Sequence, residues 1–259
     1  MRTVLRGWVA LPVAVVVGAL IAGVVVSVLP RGGPGVMPAA SPSTSGSASP
    51  GGRSVAHPVP RSLEVGGVSS GYGATRVGEA GVPAGFARSP DGAVAAATAW
   101  LATVEGSATL DARRRGLILA AVGDPRFSAA AGTRLADRAA ALGLPASGRP
   151  SAGYLSATVW ADRGAYRVAS YDGGSARVDV WHLYQLGVVP PGGRPGPGRW
   201  RRAAVSLRWD DSVRDWRLTA DFAFADGPDP RVAAPSRLER TALLSRLGEG
   251  WRLYANTGE

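Results

Sequence analysis

Residues 8–29 form a run of 22 positions in which Ser27 is the only polar side chain. Wound as a helix, such a run is about 33 Å long, the thickness of a bilayer's hydrocarbon core. The apolar core of a secretory signal peptide is only about 7–15 residues long. Met37-Pro38-Ala39-Ala40 is also a poor match to a small-residue cleavage site. The sequence therefore predicts an uncleaved signal anchor, and hence a single-pass protein of the cell membrane. Arg2, Arg6 and the terminal amine precede the run, whereas Arg31 follows closely and Arg53 only later. Cationic flanks stay in the cytoplasm, so residues 1–7 are expected inside and the rest of the chain extracytoplasmic. Ala10, Ala14, Gly18 and Ala22 recur every four residues and would align as a small-residue stripe, a surface through which membrane helices associate. The abundance of Ala and Gly throughout the chain explains the same spacing without association.

Residues 30–88 are rich in Gly, Pro, Ser and Ala and show little periodicity. They cannot bury enough apolar surface to offset their ordering entropy, which predicts a disordered linker. Treated as a flexible chain, it has an r.m.s. span of about 40–45 Å. Within it, Val82-Pro83-Ala84-Gly85-Phe86 reads as a lead-in that packs on the following domain. Gly67-Val68-Ser69-Ser70-Gly71 matches the Gly-x-Ser-x-Gly nucleophile pattern. It lacks the flanking strand and helix that strain such a serine outward, so the match is discounted.

Composition removes several classes of chemistry. There is no cysteine, so neither disulfides nor thiolate sites exist. All 29 basic residues are arginine, which excludes a P-loop lysine, a Schiff base and a Ser-x-x-Lys pair. The net charge is +10, but residues 90–259 hold 22 arginines against 17 acids, leaving only +5. One cluster, Arg199, Arg201 and Arg202 beside Arg194, sits at a loop–strand junction, and Arg113-Arg114-Arg115 opens the second predicted helix as a solvated face. Phosphate-backbone binding needs a concentrated basic face, so nucleic acid is not an expected partner.

Residues 89–259 read as an α+β domain. Ser89, Pro90 and Asp91 suit a helix start. Helices are predicted over 93–104, 111–122 and 126–142. Period-two segments follow at 154–161, 165–171, 176–186, 200–209 and 216–224. Residues 187–199 hold four prolines and five glycines, a long hairpin loop. Ser236 with Glu239 opens a closing helix that ends near Gly248. Three helices would cover one face of an antiparallel sheet. Trp100, Trp209 and Trp216 are expected at that interface, with Trp160 or Trp181 free to mark a protein contact on the outer face.

Helices followed by a bent meander, with Trp209 and Trp216 bracketing the last hairpin, resemble the cone fold of the nuclear transport factor 2-like superfamily. A tethered copy of that fold is similar to the scaffold subunits of conjugative (type IV) secretion systems. More narrowly, Gly85-Phe86-Ala87-Arg88-Ser89-Pro90-Asp91-Gly92-Ala93-Val94-Ala95-Ala96-Ala97 and Gly250-Trp251-Arg252-Leu253-Tyr254-Ala255-Asn256 resemble the opening and close of a family of high-GC Gram-positive bacteria. Some of its members are associated with integrative conjugative elements. The resemblance implies helices on a curved sheet and a structural role; its motifs carry no activity.

Few residues here suit catalysis. His57 falls in the linker, and His182 falls in a strand in register with Val178, Val180 and Tyr184. His182, Tyr184 and Tyr166 are the candidates for a site in the cone mouth, whereas Asp179 falls on the opposite face. A hydrogen-bonded core histidine is the simpler explanation. Asp210, Asp211 and Asp215, or Asp226 with Asp229, would suit turns more than a cation. No metal, cofactor or catalytic residue is expected. The reading is a non-enzymatic, membrane-anchored assembly protein whose partners are the bilayer, copies of itself and other membrane-complex subunits. The alternatives are a ligand-binding or enzymatic cone domain and a cell-envelope accessory protein.

Overall fold

Asp215, 4% exposed, shows how far order extends into the stretch expected to be a linker. Its carboxylate accepts the backbone N–H groups of Gly85 and Phe86 and pairs with Arg76. The computed structural model describes residues 63–232 and 234–257. Strands β1 (Glu64–Val65), β2 (Arg76–Val77) and β3 (Pro83–Ala84) make up a lead-in whose Val68, Val82 and Phe86 are buried in the main core. The disordered linker is thus corrected from residue 63 onward. Apolar side chains spaced widely among glycines gave no periodicity, yet Val68, Val82 and Phe86 find partners in the domain.

Three helices follow, each capped as elementary chemistry requires. In α1 (Pro90–Val104) Pro90 takes the first helical position and the Ser89 side chain accepts the Gly92 N–H at 3.0 Å. Asp111 accepts the N–H groups of Arg113 and Arg114, both at 2.9 Å, at the start of α2 (Ala112–Val122). Asp124 accepts the Phe127 N–H at 2.8 Å and opens α3 (Pro125–Ala141). Residues 93–97 of α1 are almost wholly buried. A helix apolar all round belongs inside, and alanine lets neighbours approach it closely.

The sheet is built on two long hairpins. Strand β4 (Tyr154–Tyr171) pairs antiparallel with β5 (Ser175–Val189), which pairs with β6 (Arg199–Asp210). The two strands expected at 154–161 and 165–171 are one, joined through a register shift between Trp160 and Ala165. The strand expected at 216–224 is instead two, β7 (Asp215–Leu218) and β8 (Ala223–Asp226), both paired with β6. Between them Asp221 is drawn into a two-point ion pair with Arg134 of α3, which interrupts the ladder. The order is β1-β9-β4-β5-β6-β7, with β9 (Arg252–Leu253) parallel to β1.

Both faces of the sheet are covered. Towards α1–α3 the core holds Trp100, Phe127, Tyr166, Val180, Trp216 and Tyr254 among others. On the other face α4 (Arg237–Leu244) contributes Leu244 to a second core with Trp181, Leu183, Trp200, Trp251 and Leu253. Trp181 stacks on Trp200 at 4.1 Å and donates its indole N–H to the Pro228 carbonyl. Trp181 is therefore interior, which corrects its expected place on an outer interface.

The expected architecture of membrane helix, disordered linker and one-face-covered sheet is corrected further. No helix among the described residues is long and apolar enough to cross a membrane. The 15 residues of α1 span about 22 Å, short of a hydrocarbon core, and the 17 of α3 carry Arg126, Arg134, Asp137 and Arg138. The transmembrane, single-pass and signal-anchor assignment accordingly has no support in this structure. Residues 8–29, on which it was placed, lie outside the described residues.

Trp216 is fully buried, packs edge-on against Trp209 at 5.4 Å and donates its indole N–H to the Ala87 carbonyl at 2.9 Å. Trp216→Ala is expected to cost about 3–5 kcal/mol, read as a lowered urea midpoint at unchanged slope.

Candidate functional site

Tyr184 and His182 both lie on the β5 face that meets the helices, two residues apart, with Arg201 opposite His182 on β6. Around them sits a polar cluster that the sequence did not single out. Its centre is Glu105, 1% exposed, at the C-terminal end of α1. A carboxylate there meets the negative end of the helix dipole and must be offset. Three arginines do this. Arg134 donates to Glu105 at 2.8 Å and Arg138 at 2.7 Å, while Arg201 stands 3.9 Å away. Arg134 also grips Asp221 at 2.7 and 2.9 Å. Arg138 donates to the Tyr184 hydroxyl at 3.2 Å. The Arg201 guanidinium lies over the Phe224 ring at 3.8 Å and the Tyr184 ring at 4.5 Å, a cation–π arrangement in a partly desolvated site.

These surroundings decide the protonation of the expected site residues. Burial pushes the Tyr184 phenol up to about 12, against the pull of nearby Arg138. His182 is fully buried, and burial lowers its imidazole to about 3. Its Nδ1 lies 3.3 Å from the Val180 carbonyl, so the neutral tautomer with Nδ1–H donating fits, and Nε2 meets no partner among the described residues. An imidazole that is neutral and sealed shuttles no proton at ordinary pH.

Tyr166 belongs to different surroundings. Its hydroxyl lies against Gly66, where an added Cβ would stand 1.7 Å from the oxygen. Its ring packs on Tyr254 at 4.9 Å, and the Tyr254 hydroxyl is hydrogen-bonded to Thr98 at 2.9 Å. Burial raises the Tyr166 phenol above its ordinary range. The structure brings Tyr184 into the arginine cluster and leaves Tyr166 to an aromatic contact with the chain's closing segment. The three expected residues do not converge on one space.

No family model, curated protein or solved structure matches this chain.

The remaining candidates are structural. Among the described residues no three His, Cys, Asp or Glu side chains are grouped to hold a metal ion. Asp210 accepts the N–H and hydroxyl of Ser212, Asp211 accepts the Trp209 indole at 2.9 Å, and Asp215 holds the lead-in. Val68, inside the Gly-x-Ser-x-Gly match, accepts the Ala255 N–H at 2.7 Å in a loop, with no strand-to-helix turn. His57 and the stripe Ala10, Ala14, Gly18 and Ala22 lie outside the described residues. A shallow cleft of about 450 Å³ opens beside the start of α2, with Asp111, Arg114, Arg149 and Tyr154 on its walls. The signal that could have exposed the Glu105 cluster was slight. It is an acid ending a mostly apolar helix, with Arg134 and Arg138 one turn apart on another.

Two outcomes follow from the cluster. Glu105→Gln leaves three desolvated arginines under-neutralised and is expected to destabilise the fold by about 3 kcal/mol in urea titrations. His182 has a folded-state pKa depressed to about 3 from 6.5, so the unfolded chain binds the extra proton in that window. Stability from this group is complete above about pH 6.5 and falls by about 1.4 kcal/mol per pH unit below it, until the folded pKa is reached. His182→Gln is expected to flatten the stability profile between about pH 6.5 and 5.5, above the range in which most carboxylates titrate.

Proposed function

We propose that this domain is a non-enzymatic assembly module, a self-associating subunit of a larger complex that works through contacts on its surface. The observation that carries this reading is the filled space between α1–α3 and the sheet. Trp100, Phe127, Tyr166, Trp216 and Tyr254 occupy it at 2% exposure or less. Ligand-binding sites are ordinarily concave cavities of about 300–1,000 Å³ that bury most of the ligand. Here the corresponding volume is side chain.

The charged groups that enter this interior are engaged with one another. Glu105 is held by Arg134 and Arg138, and Tyr184 by Arg138. A substrate reaching Tyr184 would have to break charge-assisted hydrogen bonds that the fold uses itself. The resemblance of residues 85–97 and 250–256 to a family tied to integrative conjugative elements makes a DNA-transfer apparatus the favoured setting. In this chain those segments are core: Phe86 packs edge-on against Trp100 at 5.5 Å, and Trp251 and Tyr254 are buried.

Sedimentation of the purified full chain between about 1 and 100 μM, the range in which a modest protein interface responds, tests the reading. Concentration-dependent association is expected, and it should survive the double substitution His182→Gln, Tyr184→Phe. A chain that stays monomeric throughout that range would sink it.

A further inference from the structure

Most edges of the sheet are blocked. At β7 the Asp124 N–H donates to the Leu218 carbonyl at 2.9 Å, and Arg217 ties the strand to the Ala121 carbonyl of α2 at 2.6 Å. Strand β8 is four residues long and ends on Asp226, and β1 is two residues beginning with Glu64. The second half of β4 is met by β9 at Tyr166 and by the Thr257 hydroxyl at the Asp162 carbonyl.

Residues 154–160 of β4 differ. Among the described residues they pair on one side only, from Tyr154 opposite Val189 to Trp160 opposite Leu183. The stretch reads Tyr-Leu-Ser-Ala-Thr-Val-Trp. It has no charge, no proline and no glycine of its own, and the register shift and Arg163 that guard this edge begin only beyond Trp160. Its side chains are half-buried, except Tyr154 at 49% exposure.

The stretch is also a chemical palindrome about Ala157. Aromatic Tyr154 mirrors aromatic Trp160, aliphatic Leu155 mirrors Val159, and hydroxyl-bearing Ser156 mirrors Thr158. Paired antiparallel with its own copy, each residue would meet one of its own kind, the matches that favour cross-strand pairs. Parity agrees as well. In this register every pair joins two odd or two even positions, so outward-pointing backbone groups meet outward-pointing ones and inner-face side chains stay on the inner face. Such a pairing adds roughly six to eight backbone hydrogen bonds.

We propose that residues 154–160 form a two-fold β4–β4 junction between two copies of this chain, with Ala157 on the symmetry axis. A two-fold contact is self-complementary by construction, which is the property the palindrome supplies. Charge selects the same occupant. Two copies of a chain with net charge +10 repel generally, but this stretch carries no charge of its own, the nearest noted being Arg163 over the Trp160 ring at its end, and a charged peptide would find no counter-ion within it. The junction is small, so its dissociation constant falls in about the micromolar range. This inference rests on the assembly reading above and names the surface and partner it requires.

The test uses the full chain, whose lack of cysteine makes any introduced thiol unique. Ala157→Cys is expected to give a covalent dimer with mild oxidant or a short bis-maleimide, whereas Thr133→Cys on the exposed face of α3 is not. Thr158→Lys places charge on the edge and is expected to weaken association at least about tenfold, with far-ultraviolet circular dichroism unchanged. If Thr158→Lys disturbs folding, the Ala157→Cys cross-link alone decides. Association without that cross-link, undiminished by Thr158→Lys where that variant folds, would overturn the β4 junction and leave the assembly reading standing. A monomer at every concentration would overturn both.

Discussion

Helix α1 has almost no surface of its own, and much of the domain is arranged to cover it. Its alanines lie against the sheet on one side and the other helices elsewhere, while the lead-in closes over Trp100, whose indole donates to the Pro83 carbonyl at 2.9 Å. Alanine side chains contribute little area each, so the helix is stabilised through close approach of its neighbours. The gap left by small residues is filled by large ones on the facing elements, Trp216, Tyr166, Tyr254 and Phe127.

Burying α1 to its end has an electrostatic consequence. Its last turn delivers Glu105 into the interior, where an unpaired carboxylate could not be accommodated. Arg134 and Arg138 from α3 and Arg201 from β6 answer it, so the charge becomes a tie between two helices and the sheet. That same tie occupies Tyr184 and shields His182. The chemistry of a reactive cleft is present in residue type and absent in accessibility.

Much of the secondary structure was legible from the chain. Ser89 marks the start of α1, and the starts expected at 111 and 126 fall within a residue of those observed, because helix-start signals act locally. Alternation in β5 separates Val178, Val180 and Tyr184 from Asp179, and the structure keeps that division. Legibility ended where one element depended on a distant one. The break between β7 and β8 exists because Arg134, 87 residues earlier, claims Asp221. Residues 63–88 are ordered by distant partners: Asp215 accepts the Gly85 and Phe86 N–H groups, and Leu253 and Ala255 bond to Gly66 and Val68. The Glu105 cluster unites positions from α1, α3, β6 and the β7–β8 connection, which share no spacing pattern.

What the sequence determined unaided is local: the helix caps, the alternating strands, the turns rich in glycine and proline, and the absence of thiol and lysine chemistry. These follow from backbone sterics and side-chain inventory, which act within a few residues. Only the tertiary structure decided that both sheet faces are covered, that the helix–sheet space is solid, and that His182 is sealed and neutral. It alone left residues 154–160 paired on one side only among the described residues. Burial and long-range pairing depend on which surfaces meet, and that information is spread over the whole chain.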